Sequence, residues 1–147
     1  AQPPGPMSPA AGAVVLTLCD PDTPLFLSPS FDTGNVRDWI TFHTGAPIGA
    51  ARHAAFALGP WAEMPMDDFP IGTPEYPDRS TTLIVEMDTL QDRGATLQGP
   101  GIKDSAALSL PETDVFQRNA VLFPLGLDFV FTCQHRLAAL PRTTTVS

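Results

Sequence analysis

The run "STTLIVEMDTL", residues 80–90, is β-branched and apolar at its centre, and it constrains the fold more than any other stretch. Such a run reads as a strand that needs a sheet around it. The neighbouring segments supply candidates. "LFLS" after Pro24, "HAAFALG" at 53–59, "GATLQG" at 94–99, "LGLDFVFTC" at 125–133 and "LAALP" at 137–141 all read as strands. Leu90 to Gly94 is long enough to join the first run to "GATLQG" as a hairpin, and "QHR" makes a tight connection between the last two strands. Within "HAAFALG", Ala54, Phe56 and Leu58 are the expected packing positions of one face.

Helical signals fall between the early strands. Ser8-Pro9 places an N-cap before a proline at the first helical position, and "AAGAVVLTLC" continues as a mostly apolar helix buried on more than one side. "DPDTP" stops it, because the aspartates favour turns and the prolines block continuation. Asp32 or Thr33 caps a second helix, "GNVRDWITFHT". There Val36, Trp39, Ile40 and His43 recur at helical spacing, which makes His43 a core or interface residue. Gly45 and Pro47 end it. "LPETDVFQRNAVLF" predicts a third helix, and the proline- and acid-rich 62–79 a long surface loop. Early helices and later hairpins together predict a single α/β domain over 1–147: a central mixed β-sheet flanked by helices. Its first twelve residues, with four prolines in the first nine, read as an irregular arm.

Length and charge narrow the function. A chain of 147 residues suits one core, and 43% hydrophobic residues can fill it. A net charge of −8 argues against nucleic acid and anionic membranes, and no apolar run has the roughly 20 residues of a spanning helix. A cytoplasmic protein is expected, with no secretory signal at the N-terminus. Cys19 and Cys133 each end an apolar segment and read as buried, reduced thiols.

No motif supplies self-contained chemistry. "GATLQGPGIKDS" has Gly94 and Gly99 at P-loop spacing, but Pro100 stands where the phosphate-binding lysine belongs and Gly101 where the hydroxyl belongs. Proline also removes an N–H from a loop that would have to present N–H groups. A strand followed by a Gly-Pro-Gly turn explains the stretch better. Lys103 is the sole lysine and could form a Schiff base with pyridoxal phosphate, but beside Asp104 a solvated ion pair accounts for it. Asp20 and Asp22 could hold a divalent metal, but a turn explains both. Glu86 and Asp88 share a strand face that reads as the exposed side. Cys133 and His135 form one soft-ligand pair without the second pair that zinc requires. No catalytic, cofactor-binding or metal-binding residue is expected.

Several segments occur in an order that resembles one family. "VVLTLCDPDTPLFLS", "FHTGAPI", "FALG", "GATLQGPGI", "LPE" and "FPLGLDFVFTCQHRLAALPRTT" are similar, in order and spacing, to PhnH, a subunit of the bacterial carbon–phosphorus lyase system. The resemblance runs from Val14 to Val146, and the family's additional N-terminal segment is expected to be missing here. It implies a three-layer fold related to pyridoxal-phosphate-dependent transferases that has lost the cofactor. It also implies a homodimer that assembles with PhnG, PhnI and PhnJ. That complex takes part in making alpha-D-ribose 1-methylphosphonate 5-triphosphate from ATP and methylphosphonate, this chain acting as a non-catalytic subunit. The carbon–phosphorus cleavage that follows uses an iron–sulfur cluster on PhnJ, for which two distant cysteines here supply no ligand set. The alternative is a stand-alone small-molecule enzyme with a site at a homodimer seam, built by loops such as 62–79.

Overall fold

A computed structural model describes residues 3–76, 79–87, 95–98, 106–108, 117–119, 122, 125–140 and 145–146. Five strands form the main sheet in the order β1-β2-β3-β6-β7: β1 (Leu25–Leu27), β2 (Phe56–Pro60), β3 (Thr82–Glu86), β6 (Asp128–Cys133) and β7 (Arg136–Leu140). The first four are mutually parallel and β7 is antiparallel to β6. A second, three-stranded antiparallel sheet comprises β4 (Ala95–Gln98), β5 (Ala106–Leu108) and β8 (Thr145–Val146). The fold is α/β with a mixed sheet, as the sequence implies.

β3 is the centre because Leu83, Ile84 and Val85 are all fully buried, so both of its faces are covered. An uninterrupted apolar run of this kind belongs to an interior parallel strand. Its partners are therefore β2 and β6, and the expected hairpin with "GATLQG" does not form. β4 pairs with β5 and β8 instead.

Helices cover the first face. α1 (Pro9–Leu18) starts where Ser8 Oγ accepts the Ala11 N–H, and α2 (Gly34–Thr44) where Thr33 accepts the Val36 N–H; Gly45, at φ 71°, ends α2 in the left-handed conformation. Val14 and Val15 of α1 and Val36 and Ile40 of α2 pack onto Leu25, Leu27, Leu58 and Ile84. The helix starts at Pro9, so the irregular arm ends at Ser8 rather than at residue 12. Met7 of the arm is buried in the same cluster.

The start of α1 is tied to the carboxyl ends of the central strands. Ser8 N–H donates to Glu86 Oε1 (3.0 Å) and Ala10 N–H to the Gln134 carbonyl (2.7 Å). The first amides of a helix lack internal partners, and here two neighbouring elements supply them. Glu86 is half-buried rather than a marker of the exposed side.

Among the described residues, mostly irregular chain covers the second face. The connection from β2 to β3 makes 3₁₀ turns at Trp61–Glu63 and Met66–Asp68. It lays Met64 and Phe69 on Ala57, Leu83, Val85, Phe129 and Phe131. Of the third expected helix, residues 117–119 are described and are helical. β6 and β7 form the expected hairpin, with Gln134 at φ 53° in its turn.

Candidate functional site

On the second face, beside the start of β6, lies a cleft of about 700 Å³. That volume is in the range of small-molecule sites. Among the described residues its walls come from three places in the chain: Met66, Asp67, Phe69 and Ile71 from the β2–β3 connection, Arg118, Asn119 and Leu122 from the segment before β6, and Leu127 and Phe129 from β6 and its approach.

Hydrogen bonds hold these segments together. The Asn119 side chain donates to the Leu127 carbonyl and accepts the Leu127 N–H, both at 2.7 Å, so its amide replaces a strand neighbour at the entry to β6. Gly126 N–H donates to the Ile71 carbonyl (2.9 Å), joining the loop to the same entry. Gly126 has φ 129°, and a Cβ there would meet Asn119 Oδ1 at 2.9 Å, so glycine lets the two segments approach. Phe69, Leu127 and Phe129 form a buried apolar floor, while Asp67 and Arg118 are exposed at the rim.

A second polar cluster sits at the carboxyl ends of β1 and β2. Ser30 N–H donates to Glu63 Oε1 (2.8 Å), which holds the Glu63 carboxyl below the usual carboxylate range. The fully buried Ser28 hydroxyl has no hydrogen bond of standard geometry, although it lies near enough to Glu63 to help lower that carboxyl. Ser28 fills the space above Gly59, where a Cβ would come within 2.5 Å of Ser28 Cβ. This contact is a packing device between two strands.

The residues weighed from sequence do not converge. Asp20 and Asp22 form an exposed turn, in which Asp22 N–H donates to Asp20 Oδ1 (2.8 Å) and Thr23 N–H to the Asp20 carbonyl (3.1 Å). Cys133 is buried on the second face while His135 is exposed in the hairpin turn. Among the described residues no three His, Cys, Asp or Glu side chains gather as a metal site. His43 is exposed rather than core, because it stands in the last turn of α2, beyond Ile40, and makes a tilted ring contact with Trp39 and an edge-to-face one with Phe42. Gly94, Gly99, Pro100, Gly101, Lys103 and Asp88 lie outside the described residues. Both cysteines are buried thiols outside any disulfide, and burial, with the charge of Asp20 second, pushes the Cys19 thiol up to about 12. Such a thiol stays protonated and is a poor nucleophile.

The sequence did not reveal the cleft. Its one visible signal was the length of the 62–79 loop, whose residues 66–71 form one wall.

A smaller apolar groove on the first face runs between α1 and the edge of the main sheet, lined by Ala13, Val14, Thr17, Leu18, Val130, Leu137 and Ala139. Leu18 and Leu137 are 43% and 54% exposed, a large share for leucines that touch a groove. Among the described residues no helix is long and apolar enough to cross a membrane.

Comparison with known proteins places this arrangement. The family model described as "Bacterial phosphonate metabolism protein (PhnH)" matches residues 1–147. A curated relative from Rhizobium meliloti (strain 1021), "Alpha-D-ribose 1-methylphosphonate 5-triphosphate synthase subunit PhnH", is 44% identical over 155 aligned residues, covering 98% of this chain and 76% of the relative. A match over the whole length, with identity well above what a shared fold alone leaves, makes this chain a member of the PhnH family.

Proposed function

We infer that this chain is the PhnH-type subunit of an alpha-D-ribose 1-methylphosphonate 5-triphosphate synthase and acts in bacterial phosphonate catabolism. The observation that carries the inference is the 44% identity to a subunit of that name over nearly the whole chain. The protein works in the carbon–phosphorus lyase core assembly with PhnG, PhnI and PhnJ, as a homodimer in the cytoplasm, and contributes surface rather than a reacting group. The exposed leucines of the α1–β7 groove support a partner there, because apolar patches of this kind mark interaction sites. A three-layer fold derived from pyridoxal-phosphate-dependent transferases, with the cofactor lost, is part of the same reading.

A bacterium lacking this chain alone should fail to grow with methylphosphonate as sole phosphorus source and should grow normally on phosphate. Normal growth on methylphosphonate would overturn the inference. The cleft formed by the 66–71 segment favours a second reading, a small-molecule enzyme in its own right. Turnover of a substrate by the isolated chain would establish that reading.

A further inference from the structure

We propose that the cleft on the second face binds a small zwitterion, an organic molecule with one oxyanion and one ammonium joined by a short aliphatic body. Asp67 and Arg118 line this cleft from two separate segments. Among the described residues no ion pair joins Asp67 to Arg118, so the carboxylate and the guanidinium share a cavity without pairing with each other. Between two such charges, water or a ligand with the opposite pair completes the site.

The rest of the lining narrows the ligand. Phe69, Leu127 and Phe129 are 4%, 5% and 1% exposed and offer only carbon to what lies above them. Asn119, the other polar side chain among the described lining residues, spends both ends of its amide on Leu127. Among the described residues a ligand therefore finds an anion-binding end, a cation-binding end and an apolar floor. The planar guanidinium suits a phosphonate or carboxylate, to which it can donate two parallel hydrogen bonds. The ammonium goes to Asp67. Simple anions and simple amines each leave one rim charge unanswered, so the site discriminates in favour of molecules that carry both.

The test uses the isolated chain and is independent of the growth assay, so either reading can fail alone. Methyl and aromatic NMR resonances are followed during titration with 2-aminoethylphosphonate, 3-aminopropanoate, ethylphosphonate and ethylamine. Saturable shifts at Phe69, Ile71, Leu127 and Phe129 are expected with one or both zwitterions, and the tighter of the two identifies the oxyanion. The matching single-charge compounds should bind about two- to fivefold more weakly, the range of an exposed charge pair. Asp67→Asn should bring the zwitterion's affinity down to that of ethylphosphonate, and Arg118→Gln should bring it down to that of ethylamine. Both side chains are exposed, so the fold survives either change, as unaltered melting temperatures would show. Absence of saturable shifts, equal binding of 2-aminoethylphosphonate and ethylphosphonate, or an Asp67→Asn variant that keeps the preference would each overturn the proposal.

Discussion

Asn119 is the side chain on which the geometry of the cleft turns, and replacing it has a calculable cost. Its amide makes two hydrogen bonds of 2.7 Å to the backbone of Leu127, in a half-buried position. Each such bond contributes about 0.5–1.5 kcal/mol net, so Asn119→Ala should cost about 1–3 kcal/mol. For a chain of this length, unfolding entropy is on the order of 0.3 kcal/mol per kelvin, which translates the loss into about 3–10 °C of melting temperature. Asn119→Asp is more informative because it keeps the shape. At neutral pH it sets a carboxylate oxygen against the Leu127 carbonyl, where the amide donated. Protonation restores a donor, so the folded state raises the pKa of this aspartate above its unfolded value of about 3.9. The variant should recover stability relative to wild type as pH falls toward 4 and lose it as pH rises through the raised folded value. Differential scanning fluorimetry across pH 4–8 measures both effects. An alanine variant within about 0.5 kcal/mol of wild type, or an aspartate variant with no pH dependence of its own, would refute the role given to Asn119.

Three further outcomes follow from particular contacts. Gly59→Ala places a methyl group within 2.5 Å of Ser28 Cβ and should cost about 2–4 kcal/mol, partly recovered in a Ser28→Gly double variant; strictly additive losses in chemical denaturation would contradict the contact. Asp32, held low by its hydrogen bonds from Arg37, and Glu63, held low chiefly by the Ser30 N–H, stabilise the fold above their ordinary values of 3.8 and 4.5. That contribution is lost as pH falls through the folded values, so Asp32→Asn and Glu63→Gln should each flatten the acid limb of the stability curve. Cys19 is raised from 9.0 to about 12, so stability should fall as pH climbs through that window, and native protein should react slowly with a thiol reagent that labels Cys19 and Cys133 at once in denaturant.

Local signals were legible in the sequence and distant pairings were not. Ser8, Thr33 and Gly45 cap helices by interactions within a few residues, so their roles can be read from the order of amino acids. The β6–β7 hairpin is local for the same reason. β3 was legible as a strand, but its partner β6 lies far downstream, and nearness in sequence pointed wrongly to "GATLQG". The roles of Glu86 and Asn119 depend on backbone groups that fold to meet them, which no spacing encodes. The cleft shares that property, since Ile71 and Gly126 become neighbours only in the folded chain. Family membership was legible because it rests on ordered motifs rather than on any single contact.

The most direct test of the functional reading is product formation in a reconstituted synthase. PhnG, PhnI and PhnJ are combined with ATP and methylphosphonate, with and without this chain, and alpha-D-ribose 1-methylphosphonate 5-triphosphate is followed by phosphorus NMR. The reading predicts product only when this chain is present, stoichiometric incorporation of it into the assembly, and no product from the chain alone. Undiminished product without it, from an assembly that never takes it up, would contradict the account.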